Sequence, residues 1–176
     1  MDLQPQQAAF MLQMFLPAIK NESKTTKRVI EAVPVDKGDY SPDPTSMKAL
    51  DLCWHIAFAE HMFYSGVANG QFDYSNSKRP ENVKNSADVA KWYEETFARD
   101  FEALTKMSPE NLLKSINFAG RFDYPAVQYV QFGMVHTIHH RGQLSAYLRP
   151  MGAKVPAIYG ESYDSAEERK AKGAQG

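Results

Sequence analysis

Apolar residues fall at three- and four-residue spacing through most of this chain, the periodicity of helices that bury one face. In "QQAAFMLQMFLPAIKNESKTTKRVIEAV" the apolar series is Phe10, Met14, Ile19, Val29 and Ile30, with Pro17 placed to kink the helix or start a new turn. "PVDKGDYSPDPTS" gathers turn formers and reads as a loop, and Thr45 or Ser46 is the expected N-cap of the next helix. That second helix is expected from about Met47 to Val67, with Met47, Leu50, Trp54, Phe58 and Met62 in one stripe and Gly66 and Gly70 at its end. After an aperiodic polar stretch, Ser86 is expected to cap a third helix whose face is Val89, Trp92, Tyr93, Phe97, Phe101 and Leu104. Ser108–Pro109–Glu110 predicts a short helical turn. "KSINFAGRFDYPAV" has weak strand character, enough for a small hairpin or an extended connection. A last long helix should run from Pro125 to about Leu148, where Pro150 and Gly152 stop it. The tail "ESYDSAEERKAKGAQG", from about residue 161, is polar and expected to be loosely held. Four long helices and little strand predict an all-α four-helix bundle.

Composition narrows this picture without redirecting it. At 176 residues the chain suits one domain, 1–176. A net charge of −1, with both signs mixed along the chain, supplies no electrostatic footprint for nucleic acid or an anionic membrane. No apolar run is long enough to span a bilayer. The opening "MDLQPQQAAF" lacks the basic start and apolar stretch of a signal peptide, and a single cysteine, Cys53, excludes an internal disulfide. A cytoplasmic location is therefore expected.

The candidate chemistry lies in "HTIHHRGQLSAYLRPMG", which holds three of the five histidines. A helix turns about 100° per residue, so His136 and His140 lie about 40° apart and one turn above each other. That spacing lets both imidazoles reach one ion. His139 with His136 is a weaker pair, about 60° apart. An open catalytic site needs a third ligand from another helix. His55 and His61 sit about 120° apart on theirs, so only one can face the ion. His55 is the choice, because it continues the line of Asp51, Phe58 and Met62. Asp51, four residues before it, is a candidate to hold its free nitrogen.

Several neighbours have simpler readings. Cys53 is expected in the core rather than on a metal. Gly142 costs about 1 kcal/mol inside a helix relative to Ala, so another helix or a partner subunit is expected to approach there. Arg141 and Gln143 read as a solvated helix face, with anion binding or the capping of a loop as the alternatives. Tyr64, Tyr124, Tyr129 and Arg141 have the chemistry of an acid or base and nothing else to recommend them.

"HTIHHRGQLSAYLRPMGAKVPAIYG", with "LCWHIAFAEHMF" upstream, resembles the DinB/YfiT-like family of metal-dependent proteins. The resemblance runs from about Phe10 to Tyr159 and includes the helix–loop–helix "LPAIKNESKTTKRVIEAVPVDKGDYSPDPTSMKALDLCWHIA". It implies an up-down-down-up four-helix bundle and a homodimer. It also implies a divalent ion, zinc or nickel, on one His of the second helix and an i, i+4 pair of the last, here His55, His136 and His140. Some members of that family use a low-molecular-weight thiol, so the resemblance implies a thiol S-transferase acting on a small electrophile. A metal-dependent hydrolase and a non-catalytic dimeric binding module with a structural metal are the alternatives.

Overall fold

The computed structural model describes residues 3–75 and 77–173. The elements in chain order are α1 (Pro5–Glu31), α2 (Ala49–Asn69), α3 (Ser86–Thr105), α4 (Pro109–Leu113), β1 (Ser115–Phe118), β2 (Phe122–Pro125), α5 (Ala126–Leu148) and α6 (Tyr163–Gly173). The four long helices α1, α2, α3 and α5 form the bundle. Among them, α2 packs on α3 and α5, and α1 packs on the same two from the opposite corner.

Side-chain pairs fix the directions. Trp54 meets Trp92 at 4.7 Å between ring centroids and His61 reaches Asp100 at 2.6 Å, so α2 and α3 run the same way. His55 meets His140 and Phe63 meets Phe132, so α5 runs against α2. Glu22 bonds Arg141 while Gln7 borders Gln128, so α1 runs with α5. The arrangement is up-down-down-up. Two parallel neighbours in sequence need a crossover, and the connection between them runs along the bundle from Phe72, packed on Tyr129, to Arg79, paired with Asp51 near the start of α2. Trp54 Nε1 donates to the Ser77 carbonyl at 2.9 Å and ties that crossover down.

α2 is the central helix. Leu52, Cys53, Ile56, Ala57, Phe63 and Val67 are all buried and lie around much of its circumference, as expected of a helix packed on both sides. α1 is more one-sided, and its buried face is Ala8, Leu12, Ile19, Val29 and Ile30. Phe10 and Met14, expected inward, are 63% and 61% exposed. The three-and-four spacing fits both edges of the stripe, and the small Ala8 with Leu12 takes the inner edge. The helix continues through Pro17.

The caps differ from expectation. Asn85, not Ser86, caps α3, in a reciprocal box with Asp88. Ser86 is already in the helix and donates its hydroxyl to the Val33 carbonyl at 2.6 Å. Lys48 occupies the cap position of α2 without a side-chain capping bond, its ammonium paired with Asp39, while Thr45 and Ser46 are turned toward Asp43. The weak strand signal is an antiparallel hairpin with Phe118 opposite Phe122. Its tip, Ala119–Gly120–Arg121, carries two residues in the left-handed region, and the Gly120 N–H bonds Asn117 Oδ1. Within the segment read as a loose tail, Tyr163–Gly173 form α6, and residues 174–176 lie outside the described residues. This helix buries no side chain, but Asp164 accepts from the Val155 N–H at 2.9 Å and from Arg149 at 3.1 Å.

Candidate metal centre

The seam between α2 and α5 brings three imidazoles together. Ring centroids stand 5.1 Å apart for His55 and His136, 4.4 Å for His55 and His140, and 4.4 Å for His136 and His140. One nitrogen of each can be chosen so that all three lie within 4.8 Å of one another. No fourth His, Cys, Asp or Glu of the described residues joins the group. Such an arrangement could hold a metal ion and leave coordination positions open.

Gly133 makes this approach possible. A Cβ there would stand 2.8 Å from Phe63 Cβ and 3.1 Å from a Tyr64 ring carbon. The absence of a side chain one turn before His136 lets α5 settle onto α2. Sequence reading singled out Gly142 for such a role. Among the described residues nothing lies within 4 Å of a Cβ placed on Gly142, so no packing among them explains it.

The electrostatics favour neutral rings. Desolvation, reinforced by the other imidazoles, lowers the His136 pKa to about 4. His55 is lowered by burial and then by His140. His140 is lowered by burial, opposed by its bond to Gln143. Neutral imidazole is the ligating form, so the chain does not have to strip protons from this site at neutral pH. Gln143 Oε1 accepts from His140 Nδ1 at 2.7 Å, which leaves Nε2 free to ligate. His136 Nδ1 is buried with no hydrogen-bond partner among the described residues. A nitrogen so placed is costly unless something occupies its lone pair or proton.

The other sequence candidates lie elsewhere. His139 is exposed beside His140 and outside the trio. His61 bonds the buried Asp100. Asp51, expected behind His55, faces Arg79 at 3.7 Å. Cys53 is buried and its thiol is pushed up to about 12, so it stays protonated and inert. Arg141 is no solvated face. It is 1% exposed, pairs with Glu22 and Thr26 on α1, and donates to Tyr159 Oη at 2.7 Å. Its reach across 119 residues clasps α1, α5 and the segment after α5. Tyr64 is buried, Tyr129 spends its hydroxyl on the Ile116 and Phe122 carbonyls, and Tyr124 is exposed. None of these residues lines the space beside the histidines.

That space is a cavity of about 480 Å³ bounded by His55 and His136. Phe58, Phe63, Phe118 and Phe132 give it aromatic walls, while Tyr74, Ser77 and Arg121 supply its polar edge from the crossover and the hairpin tip. A second cavity, about 410 Å³, opens beside His140 and Gln143 and is bordered by Pro42, Ser46, Met47 and Tyr147. Sequence reading missed Tyr74, Arg121 and Gly133. Behind the centre, Glu60 is buried and accepts from Tyr93 Oη at 2.7 Å, and desolvation raises its pKa to about 7.

An up-down-down-up bundle with a cluster of histidines between α2 and α5 defines the class, and the comparisons name it. The chain belongs to the DinB family, whose model matches residues 6–171. The uncharacterized protein YjoA of Bacillus subtilis strain 168 is 31% identical over 129 residues, or 72% of this chain and 82% of YjoA. The crystal structure of the DinB-like YjoA superposes with a TM-score of 0.70, at 26% identity, over 85% of this chain and 99% of its own. A DinB-like protein of Bacillus cereus gives 0.71 at 23% identity, over 82% and 95%. The mycothiol-dependent maleylpyruvate isomerase shares the fold alone, with a TM-score of 0.53 and 13% identity over 81% of this chain and 61% of the isomerase.

Proposed function

We propose that His55, His136 and His140 hold one divalent ion, zinc or nickel, and that the protein is a metal-dependent thiol S-transferase acting on a small electrophile. The observation that carries this reading is the trio itself: three converging imidazoles, kept neutral by burial, with no fourth protein ligand among the described residues. Zinc and nickel both suit an imidazole donor set. A closed structural site would have a fourth protein ligand. Such an ion, when bound, supplies Lewis acidity and lowers the pKa of a thiol or a water.

The chain's own residues supply the rest. Gln143 orients His140. The phenylalanine walls exclude water from one side of the trio. The two cavities, one beside His136 and one beside His140, give room for two reactants, which favours a transfer between substrates over hydrolysis. That a mycothiol-dependent isomerase has the same fold supports thiol chemistry by analogy. A homodimer belongs to the same proposal. Phe10 and Val135 are exposed on the outer faces of α1 and α5, and the bare Gly142 on α5 leaves room for a second copy.

The test starts with metal content of protein purified without a nickel column, beside His55→Ala and His136→Ala. One ion per chain, lost in both variants, is the expected result. Metal retained in both would place the ion elsewhere. In the loaded protein, consumption of a small electrophile should require added thiol. Consumption with water alone would make the protein a hydrolase. Sedimentation should give a dimer that Val135→Glu dissociates.

A further inference from the structure

The cavity beside His55 and His136 is apolar over most of its wall and carries one cation. Arg121, exposed, borders it from the hairpin tip, and no ion pair of the described residues involves it. Several other arginines are committed to carboxylates, Arg141 to Glu22, Arg149 to Asp164, and Arg79 to Asp51 and the Val83 carbonyl, while Arg28, among the described residues, reaches only Thr25 Oγ1. The hairpin turn holds Arg121 in place, through its N–H to the Phe118 carbonyl at 2.9 Å and through the left-handed Ala119 and Gly120 before it. Tyr74 borders the same cavity from the crossover, so the cation sits at a mouth framed by two connectors.

We propose that Arg121 is the specificity residue of this site and that the electrophile is a small carboxylate with a flat apolar body. Its flat apolar body lies among Phe58, Phe63, Phe118 and Phe132, and its carboxylate meets the Arg121 guanidinium. The guanidinium fork matches a carboxylate in two parallel bonds, a recognition that a neutral isostere cannot provide. The aromatic walls argue that this ligand is the electrophile and not the thiol, which is the more polar reactant. Pairing at the mouth fixes one end of the molecule and points the other toward His55 and His136. The assignment of the far end as the reacting end rests on the metal reading above, whereas the binding of the carboxylate by Arg121 does not.

Cinnamate and its neutral isostere cinnamamide are the probes, followed by NMR titration of the full chain with and without zinc. Arg121 is exposed, so Arg121→Gln should fold as the parent does. The parent should bind cinnamate about tenfold more tightly than cinnamamide, the ratio expected of one charge-assisted pair. In Arg121→Gln that preference should vanish, with cinnamamide binding unchanged. The preference should survive removal of zinc and should shrink in high salt. A preference that persists in Arg121→Gln but disappears without zinc would mean the carboxylate goes to the metal, which overturns the role of Arg121 and keeps the metal reading. A preference that depends on Arg121 in a protein that binds no metal would overturn the metal reading and keep this one. Equal binding of the two probes, or binding of neither, overturns the proposal.

Discussion

Glu60 is a carboxylate with nowhere to put its charge. It is 3% exposed on the central helix α2, and its oxygen accepts from Tyr93 Oη at 2.7 Å. Desolvation raises its pKa from 4.5 to about 7, against the opposing pull of Tyr93, Thr137 and Arg141. Because the folded state holds this proton more tightly than the unfolded chain does, the sign is fixed: Glu60 costs stability as pH rises through 4.5 to 7, and nothing below that window. The rise from 4.5 to about 7, at about 1.4 kcal/mol per pH unit, makes the full cost about 3 kcal/mol above pH 7. His136 runs the other way, since its folded pKa of about 4 lies below the usual 6.5. The metal-free parent should therefore show a shallow pH profile between 5 and 6.5 that hides both effects. Glu60→Gln separates them. The amide keeps an acceptor for Tyr93 and has no proton to gain. Urea unfolding of chelator-treated parent and variant, at pH 5 and pH 8.5, gives the difference in stability at each pH. The variant should gain on the parent by about 2.5 kcal/mol between those two values. A difference constant to within about 0.5 kcal/mol would refute the reasoning, because a Glu60 of ordinary pKa contributes no such slope.

Three further outcomes follow from the site and its frame. Gln143→Ala removes the acceptor on His140 Nδ1 and should weaken zinc binding about 10- to 100-fold, read by competition with a chromogenic chelator. Because Gln143 is exposed, unchanged thermal unfolding of the metal-free variant should accompany it. Gly133→Ala puts a methyl 2.8 Å from Phe63 Cβ, should cost about 1–3 kcal/mol by urea unfolding, and should weaken metal binding by spreading α5 from α2; normal affinity in a folded variant would count against the seam as the source of the geometry. Arg141→Ala leaves the part-buried Glu22 without its cation, with only Tyr159 Oη of the described residues donating to it, and should cost about 3 kcal/mol at pH 7, and Glu22→Gln in the same background should recover part of it.

The histidine trio was legible in sequence because two of its members lie one helical turn apart and the third had only one rival. Angular spacing on a helix is arithmetic. The four-helix bundle followed from the same periodicity, and its up-down-down-up order only from the resemblance to a known family. Periodicity failed where both edges of a stripe were apolar, as at Phe10 and Met14, since spacing does not say which edge meets a neighbour. It also failed where the partner is distant in sequence. Nothing local marks Arg141 as buried, because Glu22 is 119 residues away. Gly133 and Gly142 are both helical glycines, and only packing separates the one that α2 requires from the one whose Cβ would meet none of the described residues. Tyr74 and Arg121 were invisible because the cavity is assembled from connectors, whose paths carry no period.

The parallel course of α2 and α3 has a consequence for how such a protein can diversify. Its long crossover leaves from the end of the bundle where the hairpin before α5 lies, and together the two wall the cavity with Ser77, Tyr74 and Arg121. The histidines, by contrast, are fixed by Gly133 and the α2–α5 seam. Under the proposed function, reactivity and selectivity are inherited from different parts of the chain. The framework tolerates little change, while the two connectors can be rewritten in length and composition at small thermodynamic cost. Grafting another crossover or hairpin onto this bundle should retune which molecule enters and leave the histidine trio where it stands.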